Sequence, residues 1–317
     1  MGSTIESAVA RTPDEMEAPP LSLRKLTWLR FRRHKMALVG VAILILLFLY
    51  SFGGAFFVSE EYANHTDTGL RMSPPSAEHP FGTDTVGRDI LARTIYGGQI
   101  SLIIGLSAVI VSEVIGVLIG AFAGFYGGLV DSILMRITEA FFVIPQLFLL
   151  LVMSKFFSDK IPTIQILGRE FSGSVVVIII IIGITSWVYT ARIVRSQFLA
   201  IKEQEFILAA RATGASNGSI IFGHILPNAL APIIVSATLG VAGAIINEAY
   251  VSFLGLGVKP PTATWGNMLE RAADNEVIRN APWLWFFPGL LIVLTVLSIN
   301  FVGDGLRDAL DPRGRAM

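Results

Sequence analysis

The 317-residue chain contains no cysteine, so it has no disulfide framework and no thiolate site for a metal or a nucleophile. Charged residues are also scarce, at 15% against 53% hydrophobic residues, and the mean hydropathy is +0.66. The 24 basic and 24 acidic residues cancel, so no general attraction to nucleic acid is expected. This composition exceeds that of a typical soluble domain and predicts a protein of the lipid bilayer.

Catalytic motifs are absent as well. The sequence has no Gly-x-x-x-x-Gly-Lys-Ser/Thr phosphate-binding loop, no His-Glu-x-x-His and no Gly-x-Ser-x-Gly. Its four histidines are scattered, at His34, His65, His79 and His224. We therefore predict a non-catalytic chain that binds no metal and no cofactor of its own.

Long apolar runs are what the sequence does contain. Crossing about 30 Å of hydrocarbon takes roughly 20 residues, and six largely uncharged runs approach or exceed that length. They are Met36–Val58, Gln99–Phe125, Leu134–Met153, Ser174–Ala191, Asn228–Asn247 and Trp283–Val302. The third has the shortest uncharged core, and Pro145 is expected to kink it. The prediction is an all-α membrane protein with six transmembrane helices.

Charge near the first run sets the predicted orientation. Residues 24–35 hold six basic residues and no acid, which places the N-terminus in the cytoplasm. Six crossings return the C-terminus to the same side. The predicted organisation is a cytoplasmic tail (1–35), a first transmembrane helix (36–58), an extracytoplasmic segment (59–98), a core with five transmembrane helices (99–302) and a cytoplasmic tail (303–317). The first twenty residues, rich in proline and charge, are predicted to be flexible.

The loop between the fourth and fifth runs predicts a helix, a tight turn and a second short helix. Acids at the start of Lys202–Thr213 and Arg211 near its end both favour a short helix. Gly214 stands where a residue of positive φ ends a helix, and Ser216 or Asn217 can cap the next helix toward Leu226.

One side of the first helix is nearly flat, because it carries Ala209, Ala210 and Ala212. A flat helical face suits insertion into a groove on another protein, whereas the alternative is a well-capped connector.

The same loop resembles the EAA motif of ABC-importer permeases: Glu-Ala-Ala, three residues, Gly, nine residues, Ile, one residue, Leu-Pro. Five residues match in register: Ala209, Ala210, Gly214, Leu226 and Pro227. Leu208 replaces the motif glutamate and His224 replaces the isoleucine. The resemblance implies an EAA loop at about residues 195–227. It also implies ATPase-coupling residues Glu203, Glu205, Phe206, Ala209, Ala210, Arg211, Gly214, Ala215 and Ser216.

Other strings resemble the second permease subunit of dipeptide and oligopeptide ABC importers, over about Leu23 to Pro312. They are residues 79–84, 87–89, 252–261, 265–269 and 303–312. The resemblance implies a type I ABC importer permease-like fold with a cytoplasmic coupling helix, in the cell (inner) membrane. The implied partners are a second permease, two ATPases that bind ATP and Mg, and an extracytoplasmic substrate-binding protein. The implied cargo is a dipeptide or oligopeptide, with an oligosaccharide or nickel as alternatives.

A stand-alone secondary transporter is the rival class, and it requires ion-coupling groups inside the membrane. Glu113 and Glu139 are acids within predicted spans and are candidates for a transport role, unless they lie near enough to an interface to be solvated. The residues that line the substrate path are not identified by the sequence. Glu248, at the outer end of the fifth run, is interpreted as structural by resemblance.

Two further patterns concern packing. Gly116, Gly120 and Gly124 form one stripe of the second run and predict close contact with another helix. Tryptophan at positions 265, 283 and 285 suits a membrane interface, and by resemblance the loop around Gly255 helps to shape the outer mouth.

Overall fold

The computed structural model describes residues 23–157, 160–166 and 169–311. These residues are almost entirely helical, which confirms the all-α prediction. The exception is a small antiparallel pair of strands, β1 (Ile164–Ile166) and β2 (Arg169–Phe171). The tail predicted to be flexible lies outside the described residues.

The N-terminal part contains four helices: α1 (Leu23–Arg33), α2 (Lys35–Gly53), α3 (Glu60–Asn64) and α4 (Ile90–Tyr126). A short 3-10 turn at Thr68–Leu70 lies between α3 and α4. The Asp89 carboxylate caps α4 by accepting from the Ala92 N–H at 2.7 Å. That cap starts the helix at Ile90, nine residues before Gln99, where the predicted span begins.

Two spans are bent. Helices α5 (Gly128–Val143) and α6 (Gln146–Phe157) meet at 85°, and α7 (Gly173–Ser186) and α8 (Val188–Ile201) meet at 42°. Pro145 lies in the first break, because proline lacks an N–H and disfavours a helical residue before it. The predicted kink is thus confirmed, whereas no sequence signal predicted the second bend, at Trp187.

The C-terminal part contains α9 (Glu205–Ala212), α10 (Ser219–Phe253), α11 (Trp265–Met268), α12 (Asn275–Asn280) and α13 (Trp283–Leu310). The predicted short helix ending near Leu226 is wrong. Its residues form the first turns of α10. Pro227 lies near the start of the α-helical part, where a missing N–H is tolerated, and the helix also continues through Pro232 to Phe253.

By length and composition, four described helices can cross a membrane: α2, α4, α10 and α13. The number rises to six when each bent pair counts as one span, in agreement with the prediction of six spans.

Helix α4 packs along α8 through the glycine stripe. A Cβ atom at Gly120 would clash with the Ala191 carbonyl oxygen, and one at Gly116 would lie 2.9 Å from the Trp187 oxygen. At Gly124 the neighbours are Phe198 and Arg195. The two backbones approach this closely only because the stripe carries no side chains. Helix α8 leads directly into α9, so this packing fixes the base from which α9 projects.

Candidate functional site

Helix α9 ends in a Schellman motif. Gly214 has φ +83° and donates its N–H to the Arg211 carbonyl at 3.0 Å, while Ala215 donates to the Ala210 carbonyl at 3.0 Å. Glycine adopts this backbone conformation without steric cost. The prediction that Gly214 has positive φ is confirmed, and the turn defines where α9 stops.

One buried side chain packs α9 against its neighbouring helices. Ile207 is the one buried residue of the helix, and it packs in a cluster with Phe198 of α8 and Ile220 and Ile221 of α10. In contrast, Phe206 is 40% exposed and Leu208, at the position of the motif glutamate, is 50% exposed. Exposed apolar side chains beside a flat alanine surface are typical of a site that another protein covers.

The other predicted coupling residues lie on this helix or next to it. Glu203 and Glu205 are exposed before and at the start of α9, Ala209 is exposed, and Ala210 is half-buried. The Ser216 hydroxyl accepts from the Ser219 N–H at 3.3 Å and so helps to start α10. Together these residues form one continuous surface at what we call the α9 end of the bundle.

Arg211 contacts its own chain. Its guanidinium lies 5.6 Å from the centre of the Phe125 ring, near the end of α4. This distance allows a cation–π interaction. Arg211 therefore holds the last turn of α9 against α4, a contact that sequence reasoning missed because the two residues are far apart in the chain.

Polar contacts beneath α9 were also missed. Asp131 of α5 accepts two hydrogen bonds from Arg195 of α8, at 2.5 and 2.6 Å. The Lys202 ammonium donates to the Gly124 carbonyl at 3.1 Å. These contacts tie α4, α5 and α8 together, and no local pattern in the sequence pairs residues from three different helices.

The opposite end of the bundle, which we call the Trp265 end, is closed by a buried polar network. Glu248 is fully buried and accepts from Ser252 at 2.7 Å and from Ser101 at 3.2 Å. The Trp265 backbone N–H donates to Ser101, and its indole N–H donates to the Thr94 carbonyl at 2.9 Å. Trp265 has no exposed surface, so the prediction that it anchors the chain at a membrane interface is wrong.

The two candidate acids inside spans have different surroundings. Glu139 is exposed on α5 and pairs with Arg136 at 3.1 Å. Glu113 faces the chain interior, where it accepts a hydrogen bond from the Thr190 hydroxyl at 2.8 Å. The structure thus separates a surface ion pair from an acid between helices.

Two family models match the chain. One, described as "Binding-protein-dependent transport system inner membrane component", matches residues 116–316. The other, described as "N-terminal TM domain of oligopeptide transport permease C", matches residues 22–75. The first match includes α9, the glycine stripe and, at the Trp265 end, Glu248 and Trp265.

Individual proteins agree with these models. The chain is 40% identical over 310 residues to the oligopeptide transport system permease protein OppC of Bacillus subtilis, covering 98% of this chain and 96% of that protein. It is 42% identical over 284 residues to a putative peptide permease protein of Brucella suis, covering 90% and 89%.

A solved structure of the MetNI methionine ABC transporter in an inward-facing conformation matches with a TM-score of 0.53 and 22% identity, covering 68% of this chain and 95% of that chain. At this identity the likeness concerns the fold alone, which is that of a type I ABC importer permease. With the family model and the relatives, it leads to one assignment: the chain belongs to the family of inner membrane components of binding-protein-dependent transport systems.

Proposed function

We propose that this chain is a non-catalytic permease subunit of an ATP-driven importer of dipeptides or oligopeptides. The names of its relatives support the peptide class, since they are called oligopeptide, dipeptide or peptide permeases. Identity of 40–42% extends over nearly the whole length of this chain and of each relative. It therefore includes the helices that would line a substrate path. The rival reading, a stand-alone secondary transporter, leaves the exposed surface of α9 without a purpose.

Helix α9 is the observation that carries the coupling role. It is exposed on its alanine face, anchored through Ile207, and connected to α8 on one side and α10 on the other. A force applied to α9 therefore reaches two spans at once. Movement of a bound ATPase would tilt those spans and alternate access to the path, as in rigid-body switching.

The complex implied by this role has four kinds of subunit. A second permease completes the path, and two cytoplasmic ATPases bind ATP and Mg and dock on α9. An extracytoplasmic binding protein delivers the peptide. In this arrangement the chain lies in the inner membrane, and the α9 surface, residues 203–216, faces the cytoplasm. Both termini lie on the cytoplasmic side as well.

Docking on α9 is tested by Ala210→Glu. A carboxylate placed in an apolar groove is costly to desolvate, so we expect ATPase co-purification to fall at least about tenfold, which corresponds to 1.4 kcal/mol. The matched control is Ala77→Glu, the same change at an exposed alanine of the Trp265 end. Undiminished ATPase binding and transport in Ala210→Glu would reject α9 as the docking element.

Orientation is tested by single cysteines, because the chain has none to remove. Thr66 and Ser216 are both exposed in the structure. A cysteine at Thr66 should react with a membrane-impermeant maleimide in intact cells, and one at Ser216 only after permeabilisation. Labelling of Ser216→Cys from outside would contradict the proposed ATPase docking.

A further inference from the structure

A cavity of about 230 Å³ lies where α4, α7, α8 and α10 meet. Most of its wall is apolar, as expected for residues within spans. Six polar side chains interrupt that wall: Ser112, Glu113, Ser186, Tyr189, Thr190 and Ser236. Among the described residues that line it, none is lysine or arginine.

The cavity is enclosed by candidate membrane spans, because its lining residues belong to α4, α10 and the bent pair α7 and α8. Glu113 is separated from Tyr126, the last residue of α4, by about 20 Å at 1.5 Å per residue, and from Ile90 by about 35 Å. Glu113 therefore lies well inside α4, a candidate membrane span, rather than at either end of it. An acid inside a span is costly unless it is paired or faces a water-filled path.

Among the described residues, only one of the two Glu113 carboxylate oxygens has a hydrogen-bond partner. Its Oε1 atom accepts from Thr190 at 2.8 Å, and the Thr190 hydroxyl lies 3.1 Å from that of Ser236. Its Oε2 atom has no hydrogen-bond partner among the described residues. In Glu248, by contrast, each carboxylate oxygen accepts a hydrogen bond from a serine. Glu248 has the contacts of a structural acid, whereas Glu113 retains capacity for another donor.

The two broken spans contact each other beside this cavity, through the lining residue Ser186. The Gln146 amide, just after the break at Pro145, donates to the Ser186 hydroxyl at 2.9 Å, and Ser186 precedes the break at Trp187. Non-helical backbone at membrane depth is tolerated where it is buried in protein or lines a water-filled cavity. Tyr189, at the cavity edge, is 69% exposed, so the cavity opens to the surface of the chain.

We propose that this cavity receives the ammonium group of the transported peptide during its passage, with Glu113 as the counter-charge. The inference rests on the peptide importer function proposed above. An ammonium group has several N–H donors and no acceptor, which suits the free carboxylate oxygen and the neighbouring hydroxyls. The volume lies below the roughly 300–1,000 Å³ of sites that enclose whole ligands, so the site holds one end of the peptide.

Charge in the cavity is tested first without substrate. The variant Tyr189→Cys places a thiol at the cavity edge. Its rate of modification is measured with two methanethiosulfonate reagents, one carrying a trimethylammonium cation and one carrying a sulfonate anion. Adding Glu113→Gln, which keeps the acceptor for Thr190, should lower the ratio of cationic to anionic rates about tenfold, or 1.4 kcal/mol. The matched control is Glu139→Gln, an acid of a neighbouring span outside the cavity, which should leave the ratio within about twofold. An unreactive cysteine, or a ratio that Glu113→Gln does not change, would overturn the proposal.

Transport is tested in proteoliposomes that contain the full complex and ATP. The probes are trialanine and N-acetyl-trialanine, each compared at equal loading of the binding protein. Glu113→Gln should lower trialanine uptake about tenfold and leave N-acetyl-trialanine uptake within about twofold, while Glu113→Asp restores trialanine uptake. ATPase stimulation by the loaded binding protein should persist, because α9 is unchanged.

The outcomes separate this inference from the proposed function. Equal losses for both probes, or for Glu113→Gln and Glu139→Gln, would show that Glu113 does not recognise the ammonium group. No peptide uptake and no ATPase stimulation by the wild-type complex would instead refute the importer function. The thiol measurement involves no transport, so it still decides whether the cavity carries negative charge and reaches water.

Discussion

The two ends of the helical bundle differ in how far their side chains are buried and bonded within the chain. At the Trp265 end, Trp265 and Glu248 are fully buried, and their polar atoms bond within the chain. At the α9 end, a helix with one buried side chain exposes Phe206 and Leu208. The polar network around Trp265 is completed within this chain, whereas the exposed α9 surface is the one that we propose an ATPase covers. Substitutions at the two ends should therefore fail differently.

The largest loss of stability is expected at Trp265. Trp265→Ala removes a fully buried side chain and the bond from its indole to Thr94, at an expected cost of about 3–5 kcal/mol. The midpoint of thermal unfolding and the yield of purified complex should both fall. Trp285→Ala is the control, because Trp285 is 38% exposed. Equal effects of the two variants would show that the Trp265 end is not held by this network.

The base beneath α9 should be the next most sensitive region. Gly120→Leu forces a side chain into the contact between α4 and α8, and overpacking costs about 1–3 kcal/mol. Gly243→Leu is the matched control within a span, since a Cβ atom there meets nothing within 4 Å. We expect a lower yield of complex for the first variant only. A normal thermal midpoint for Gly120→Leu would mean that the two helices separate at little cost.

At Gly214 the loss of stability is expected to be no larger than at Gly120, whereas the effect on coupling is expected to be the largest. Gly214→Val places a β-branched residue at φ +83°, which costs about 1–3 kcal/mol and redirects the end of α9. The spans are unchanged, so insertion should persist while transport is lost. Gly218→Val is the control, because Gly218 has φ −61° and open space around it. The measurement is ATPase stimulation by the loaded binding protein, and full stimulation in Gly214→Val would contradict the coupling role.

Local signals explain the predictions that the structure confirms. Hydropathy depends on runs of neighbouring residues, so the spans could be predicted from the sequence without knowing how they pack. The end of α9 at Gly214 and the kink at Pro145 follow from the conformations that single residues prefer. Helix α4 begins before the predicted span at Gln99, because the residues after Asp89 include polar side chains that hydropathy penalises but packing buries.

Features that depend on contacts between residues far apart in the sequence were decided only by the tertiary structure. Tryptophan is common at membrane interfaces, yet Trp265 is bonded to Thr94 and Ser101, which belong to a helix more than 150 residues earlier. Arg211 and Phe125, or Asp131 and Arg195, likewise meet because α4, α5 and α8 converge below α9. The sequence by itself determined a multi-span helical protein with an exposed, glycine-terminated helix, since these depend on local chemistry. Which acid is satisfied, Glu248, and which retains a free oxygen, Glu113, depends on side chains from other helices, and so only the packed chain decides it.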